Sequence, residues 1–183
     1  WTNPSNESVT LQGGIANNGT FTAGTGIYTF NTNPQALTGT FSIPNVTVNI
    51  ITLTNNNSLT VGTALSGSGI LLQAANAVLN IGNGSAITTL TASVNPNTVN
   101  YTRGGDQAVK GITYHNLGLS GSGTKTMAAA INVNGDLTVS GTANLFDAGF
   151  QITGNATGLM NLGAGTFLTL GNAASATSFP AGF

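Results

Sequence analysis

Five of the eight Asp, Glu, Lys, Arg and His side chains in this 183-residue sequence lie between positions 103 and 125. They are Arg103, Asp106, Lys110, His115 and Lys125. Metal binding or nucleophilic catalysis there would need a second His or a Cys, or a Ser beside a local acid. His115 is the single histidine and cysteine is absent. The stretch therefore predicts solvated surface charge, and we assign no catalytic, cofactor-binding or metal-binding residue.

Four carboxylic acids are the other candidates for chemistry: Glu7, Asp106, Asp136 and Asp147. Glycosidases hold two carboxyl groups about 5 to 9.5 Å apart across the sugar. Adjacent strands could bring Asp136 and Asp147 together in this way. The commoner role of the first is a turn aspartate after an Asn-Gly pair, and that of the second is a surface acid. The sequence predicts no enzyme, and a polysaccharide-active enzyme is a remote alternative.

The stretch GLSGSGTKT (118–126) partly matches a phosphate-binding loop. Gly118 and Gly123 have the required spacing, but Thr124 stands where Lys is needed and Lys125 follows one position late. Such a loop must also lead into a helix whose N-terminus holds the phosphate. At most one helical turn is predicted here, over TMAAAINV (126–133). A simple turn is the better interpretation.

Threonine and aromatic residues suggest two kinds of binding surface. A flat face of regular Thr-x-Thr pairs can order water in an ice-like lattice, but here the pairs are irregularly spaced. They lie at Thr20/Thr22, Thr38/Thr40, Thr52/Thr54, Thr89/Thr91 and Thr124/Thr126. Eight aromatic residues alternate with polar ones, which favours stacking in an interior over an exposed sugar-binding platform. They are Phe21, Tyr28, Phe30, Phe41, Tyr101, Tyr114, Phe150 and Phe167.

Composition narrows the fold class and the partners. Charged residues make up 4% of the chain, against about 25% in an average soluble domain. Short apolar runs separated by Gly and Asn, with abundant Thr, are typical of an all-β chain. Three Lys and Arg residues in all cannot neutralise a phosphate backbone, so we expect no nucleic-acid partner. No apolar run is long enough to predict membrane insertion.

Strand candidates recur every nine or ten residues and alternate apolar residues with Thr, Asn or Ser. The clearest are 8–13, 19–24, 26–31, 45–54, 57–62, 77–82, 98–103, 131–141, 150–155 and 166–171. Two all-β architectures fit them. In an antiparallel β-sandwich, Asn18-Gly19 and Asn134-Gly135 would form hairpin turns. In a parallel β-solenoid the same residues would turn the corners of successive coils.

Internal similarity favours the solenoid. QALTGTFSIPNVTV (35–48) matches QAVKGITYHNLGL (107–119) once one residue is gapped. The match predicts a degenerate repeat, with copies at about 28–90 and 100–160, inside a single module spanning 1–183. With coils of roughly 20 to 25 residues we predict a parallel β-helix of about eight coils. The antiparallel sandwich is the alternative.

Three phrases carry a family resemblance: NNGTFTAGTGIYTF (17–30), QAVKGITYHNLGLSGSGTKT (107–126) and INVNGDLTVSGTANL (131–145). They resemble the β-solenoid repeats of large secreted bacterial surface proteins of the filamentous-haemagglutinin adhesin type. The resemblance covers nearly the whole chain but includes no catalytic motif. It implies a right-handed parallel solenoid stalk, tandem modules and export to the cell surface. It transfers no functional residues.

The expected function is a structural module of an extracellular bacterial stalk, fibre or adhesin, without catalysis or cofactor. Exposed end coils are open sheet edges, so the expected partners are neighbouring modules or copies of the chain, end to end. Residues 178–183, SFPAGF, read like an unfinished coil, which suggests a fragment of a longer tandem array. Surface glycans are a second candidate partner. A carbohydrate- or ice-binding β-solenoid is the alternative function.

Overall fold

A computed structural model describes residues 1–183, which form strands, turns and bends without any helix. The chain divides into two compact units, Trp1–Thr91 and Ala92–Phe183. Strands within each unit pair in parallel, with partners about one coil apart in sequence. The predicted parallel β-solenoid is confirmed, the coils along the chain number about eight as expected, and the antiparallel sandwich is wrong. The structure contains no helix that could span a membrane.

Ten strands form the first unit. They are β1 (Val9–Leu11), β2 (Ile15–Asn17), β3 (Ile27–Phe30), β4 (Gln35–Ser42), β5 (Asn45–Val48), β6 (Thr52–Asn55), β7 (Ser58–Val61), β8 (Ala64–Gln73), β9 (Val78–Ile81) and β10 (Gly84–Thr91). One ladder joins β1, β3, β5 and the first halves of β8 and β10. A second joins β2, β4, β6 and the second halves of β8 and β10. A third joins the end of β4 to β7 and β9.

Eleven strands form the second unit. They are β11 (Thr98–Tyr101), β12 (Gln107–Val109), β13 (Thr113–Tyr114), β14 (Asn116–Leu119), β15 (Ser122–Met127), β16 (Ile131–Val133), β17 (Leu137–Val139), β18 (Thr142–Phe146), β19 (Ile152–Gly154), β20 (Met160–Leu162) and β21 (Leu168–Thr169). Three parallel ladders again run through the unit. They are β11–β14–β17–β20, β12–β15–β18–β21 and β13–β16–β19. Both units therefore contain three ladders, although the first coil supplies only β1 and β2 to two of them.

Two long strands pass from one sheet to the next at a glycine. Gly39 in β4 has φ of +106° and Gly67 in β8 has φ of +116°, values that a side chain rarely adopts. A Cβ on Gly67 would lie 2.0 Å from the carbonyl oxygen of Val48, and one on Gly39 would lie 2.2 Å from that of Asn17. These glycines let one continuous strand turn a corner and pass from one ladder to the next.

The interior consists of columns of apolar side chains, because alternate residues of each strand point inward. Two such columns are Tyr28, Val46 and Leu65 in the first unit and Val99, Leu117 and Leu137 in the second. Every member is at most 1% exposed. Full burial of one such side chain stabilises a fold by about 1.5 to 3 kcal/mol. The inward apolar columns and the backbone ladders therefore both stabilise the stacking of successive coils.

Two local predictions are wrong. The stretch 126–133 contains the end of β15 and all of β16, with bends between them, instead of a helical turn. Parallel neighbours pair with both strands, and this pairing outweighs the weak helix preference of three alanines. The single strand predicted at 45–54 is split into β5 and β6 by a corner at Ile50, whose φ is +69°.

Candidate functional site

Lys125 lies inside the second unit and is completely buried. It occupies the fourth position of β15, between Gln107 of β12 and Leu145 of β18 in the same ladder. Thr124 and Thr126 flank it and are only partly buried, so strand alternation turns Lys125 inward. A charged group in such a place destabilises the fold unless its protons are hydrogen-bonded.

Three backbone carbonyl groups surround the Lys125 ammonium. Its Nζ donates to the oxygens of Arg103 at 2.7 Å, Gly105 at 2.9 Å and Ser122 at 3.1 Å. An ammonium has three protons and no acceptor, so this set uses all of its hydrogen-bonding capacity. Burial lowers the pKa of Lys125 below its ordinary 10.5; the Arg103 charge lowers it further, and Asp106 opposes this.

The predicted solvation of all five charges is thus wrong for Lys125. The signal that could have revealed it is the alternation in SGTKTM (122–127), where Lys125 shares its parity with the buried Met127. A lysine in an inward column needs an acceptor for each proton. Those acceptors are the carbonyl oxygens of Arg103 and Gly105, 22 and 20 residues earlier, and of Ser122. No sequence pattern predicts that they lie beside Lys125.

A closed hydrogen-bond circuit lies in the interior of the same unit. Tyr114 donates its hydroxyl proton to the carbonyl oxygen of Lys110 at 2.7 Å, while the Lys110 N–H donates to the Tyr101 oxygen at 3.1 Å. The two hydroxyl oxygens are 2.9 Å apart, so the Tyr101 proton must be donated to Tyr114. Burial is the main cause that raises the pKa of both tyrosines above 10.0. Both hydroxyls therefore bond within a single coil, where they join β11 to β13 and to the backbone of Lys110.

Asp106 lies on the surface at a corner of the second unit, as predicted. Its Oδ1 accepts the backbone N–H of Thr124 at 2.8 Å, one coil further on. His115 is half-buried, and its backbone N–H donates to the carbonyl oxygen of Ala92 at 2.6 Å. These contacts link consecutive coils.

Asp136 is exposed, and its side chain accepts a backbone hydrogen bond from the next coil, as Asn116 does one coil earlier. The Asn116 Oδ1 accepts the backbone N–H of Asp136 at 2.9 Å, and the Asp136 Oδ1 accepts that of Leu159, also at 2.9 Å. Asn6 repeats the arrangement in the first unit by accepting the N–H of Thr25 at 2.8 Å. Since neutral asparagine performs this role elsewhere, Asp136 needs no charge for it.

Asp147 is buried, so the prediction of a second surface acid is wrong. Its Oδ1 accepts backbone N–H groups from Gly149 at 2.9 Å and Gly171 at 2.7 Å. Its Oδ2 accepts the hydroxyl proton of Thr177 in a short hydrogen bond. The carboxylate therefore pins residues 171–177, which form no strand, against the end of β18.

The two acids suggested as a glycosidase pair belong to different parts of the second unit. Asp136 precedes β17 and lines a shallow depression of about 230 Å³ together with neutral residues such as Asn100 and Asn116. Asp147 follows β18 in another ladder and is occupied by its own hydrogen bonds. The structure also brings no three His, Asp or Glu side chains together. Glu7, the remaining acid, is exposed near the start of the first unit.

The phosphate-loop similarity at 118–126 covers strand instead of loop and helix. Gly118 lies in β14, and β15 begins at Ser122. Gly121, with φ of +83°, lies between the two strands, and Gly123, with φ of +70°, is the second residue of β15. The predicted turn is thus confined to Ser120 and Gly121, and the rest of the stretch is strand.

Five of the eight aromatic residues expected inside are buried there, which confirms that part of the prediction. They are Tyr28, Phe30, Phe41, Tyr101 and Tyr114. Phe21 is half-buried, while Phe150 and Phe167 are 40% and 66% exposed. The two exposed phenylalanines lie in the later coils of the second unit.

Comparison of the chain with protein-family models, curated proteins and solved structures finds no match. The parallel β-solenoid fold therefore stands on the structure itself.

Proposed function

We propose that this chain is a structural module of an extracellular bacterial surface stalk, fibre or adhesin, extended by further coils at its ends. The observation that carries the proposal is that apolar columns buried within each unit become exposed at the terminal coils. Side chains in equivalent positions differ in exposure because one has a coil on both sides and the other on one side. The resemblance of the repeat phrases to secreted surface proteins supports the location.

At the start of the first unit, the open column contains Ile15. Its ladder partner Leu37 is completely buried, whereas Ile15 is only half-buried. Beside it lies an apolar cavity of about 500 Å³, whose lining includes Trp1 and Phe21. The rings of these two residues stack with centroids 5.0 Å apart. A further coil would cover this apolar surface and extend the β1 and β2 ladders.

At the end of the second unit, Leu162 shows the same effect. It continues the column of Leu119 and Val139, which are both completely buried, but is itself 44% exposed. A cavity of about 310 Å³ lies beside it, lined in part by Leu159 and Phe179. This end would also bury its apolar residues beneath another coil.

A parallel sheet edge is complementary to the opposite edge of a similar sheet, since every internal pair of coils uses that same contact. Joining the end of one copy to the start of another is a heterologous contact, which generates filaments when it does not close into a ring. The surface along the coils is nearly uncharged, so association through apolar columns and backbone hydrogen bonds should depend little on salt.

The test is the association of the 183-residue chain, measured by light scattering as a function of concentration. We expect concentration-dependent oligomers at low and high salt. Ile15→Lys should block the first end and Leu162→Lys the last, because each places a charge in an apolar column. Thr138→Lys, which adds the same charge on the outer face of an inner coil, is the matched control and should associate normally.

Mixing the two blocked variants sharpens the test. Each retains one working end, and the working ends are complementary, so the mixture should form dimers while each variant alone stays monomeric. A wild-type chain that remains a monomer at high concentration contradicts the proposal. So does association that survives both end substitutions.

A further inference from the structure

An uncharged array of side chains covers one outer face of the first unit. It is formed by the outward residues of β6 and the second halves of β8 and β10, and we call it the TIL face. Its members are Thr52, Thr54, Ile70, Leu72, Thr89 and Thr91.

The strand register aligns these residues in two straight columns. One column runs from Thr52 through Ile70 to Thr89, and the other from Thr54 through Leu72 to Thr91. The residues between the columns, Leu53, Leu71 and Leu90, point inward and are at most 4% exposed. Packing of this interior column fixes the backbone beneath the TIL face.

The array has the dimensions of a parallel sheet. Rungs lie about 4.8 Å apart, and residues i and i+2 of one strand lie about 6.6 Å apart. The sequence pattern appears irregular because Thr52 and Thr89 are separated by two coils of slightly different length. A register shift between Ile87 and Thr89 restores the alignment. The pairs Thr52/Thr54 and Thr89/Thr91 are therefore aligned in space, whereas the other three Thr-x-Thr pairs are not members of the TIL face.

Four of the six side chains of the TIL face carry a hydroxyl group, and the other two are aliphatic. The four threonine hydroxyls make no hydrogen bond within the protein, in contrast to Thr47, whose hydroxyl lies 3.1 Å from that of Ser66 on another face. Ile70 is 38% exposed, and no member is charged. Free hydroxyls and methyl groups in a rigid net can hold water in an ordered array, whereas charges would impose their own hydration.

A sugar ligand fits this face less well. Carbohydrate sites commonly use exposed aromatic rings with an apolar face and a polar edge, and the TIL face has no aromatic residue. Tyr28, Phe30 and Phe41 of the same unit are buried. Charged partners find no complementary group there.

We infer that the TIL face binds ice, with the two columns matching a repeat of the crystal surface. Water ordered around the threonine methyl groups and bonded to their hydroxyls would join the lattice of the ice front. Adsorption of the chain would then slow the growth of the crystal. This activity is additional to the proposed structural role and does not depend on it.

The experiment measures thermal hysteresis and inhibition of ice recrystallisation by the intact chain. We expect both to rise with protein concentration above the level of an inert protein. Leu72→Lys places a charge at the centre of the TIL face and should abolish both effects. Thr29→Lys is the matched control, since Thr29 is an outward, half-buried residue on another face of the same unit, and it should retain them.

Circular dichroism of each variant shows whether its strands are intact, and Thr54→Ser provides a gentler second variant. Serine keeps the hydroxyl and removes the methyl group, so we expect weakened hysteresis with unchanged folding. Absence of hysteresis in the wild-type chain overturns the inference. Equal loss in the Leu72→Lys and Thr29→Lys variants also overturns it, because the effect would then not belong to this face.

Discussion

Both units bury polar side chains in their inward columns, but the hydrogen-bond partners of these side chains differ between the units. In the first unit, Asn55 and Gln73 are neighbours in one column and are completely buried. The Asn55 Nδ2 donates to the Gln73 Oε1 at 2.8 Å and to the carbonyl oxygen of Val78 at 2.9 Å. In the second unit, Lys125 donates to three carbonyl groups of the main chain.

The difference follows from what each side chain offers. An amide has both donors and an acceptor, so two amides in successive coils can bond to each other without changing the strands. An ammonium has donors alone and needs carbonyl groups that the ladders do not already occupy fully. Arg103 and Gly105 supply two of them in a stretch that forms no strand, where Gly105 has φ of +140°, and Ser122 at the start of β15 supplies the third. A buried lysine therefore requires a local departure from the repeat.

The largest expected loss of stability comes from reversing the charge of the buried lysine in the second unit. Lys125→Glu would place a carboxylate against three carbonyl oxygens, and an uncompensated buried charge costs about 3 to 5 kcal/mol. Lys125→Met keeps the length and removes the charge; it should cost about 1 to 3 kcal/mol for the carbonyl groups left without their donor. Urea unfolding measures both, and hydrogen exchange in β12 and β15 locates the loss. Equal effects of the two substitutions would contradict the carbonyl-cage description.

The first unit should respond more mildly. Asn55→Leu removes both amide protons and leaves the Gln73 oxygen without its donor. We therefore expect a loss of about 2 kcal/mol in the free energy of unfolding. Asn56→Leu is the control, because its amide donates to Thr38 in an exposed contact, and it should change stability by less than about 0.5 kcal/mol. A smaller loss for Asn55→Leu than for Asn56→Leu would refute the role of the amide pair.

The tyrosine circuit adds a polar element peculiar to the second unit. In the first unit, by contrast, the Tyr28 hydroxyl donates to a single carbonyl, that of Ala23, at 2.7 Å. A double-mutant cycle with Tyr101→Phe and Tyr114→Phe should show a coupling of about 1 kcal/mol, since the hydroxyls bond directly. Additive effects of the two substitutions would show that the hydroxyls act independently.

The same two tyrosines make the stability of the fold depend on pH in the alkaline range. Their pKa values are raised on folding, so above pH 10 the unfolded chain releases protons that the folded chain keeps, and stability falls. Lys125 acts oppositely: its lowered pKa makes stability rise with pH up to about 10.5. Unfolding titrations should therefore show a steeper alkaline loss in Lys125→Met, and a shallower one in the double Phe variant. Unchanged slopes would contradict these assignments.

The smallest expected effect concerns Asp136. Asp136→Asn preserves the oxygen that accepts the Leu159 N–H, just as Asn116 does for Asp136 one coil earlier. We expect a change of less than about 0.5 kcal/mol in stability. Asp136→Ala, which removes the acceptor, is the comparison and should cost more. A large effect of the Asn variant would mean that the charge itself matters, which would revive the enzyme alternative.

Prediction from sequence succeeded where the signal is local. The alternation in NSLTVG and AVLNIG correctly indicated β7 and β9. It failed for β8, because the Gly and Ser residues of ALSGSGILLQ (64–73) resemble a turn signal, while the strand passes through a corner at Gly67. The burial of Asp147 was also missed, since its hydrogen-bond partners Gly171 and Thr177 lie more than 20 residues away.

The sequence by itself determined the all-β class, the coiled architecture and the lack of charge, because period-two alternation and composition are properties of neighbouring residues. The tertiary structure alone decided which threonines share a register, which acids are buried and where the protons of Lys125 are bound. These outcomes depend on coil lengths of 18 to 23 residues, as in the steps from Val99 to Leu117 and from Leu137 to Met160. Such lengths place residues side by side that are distant along the chain.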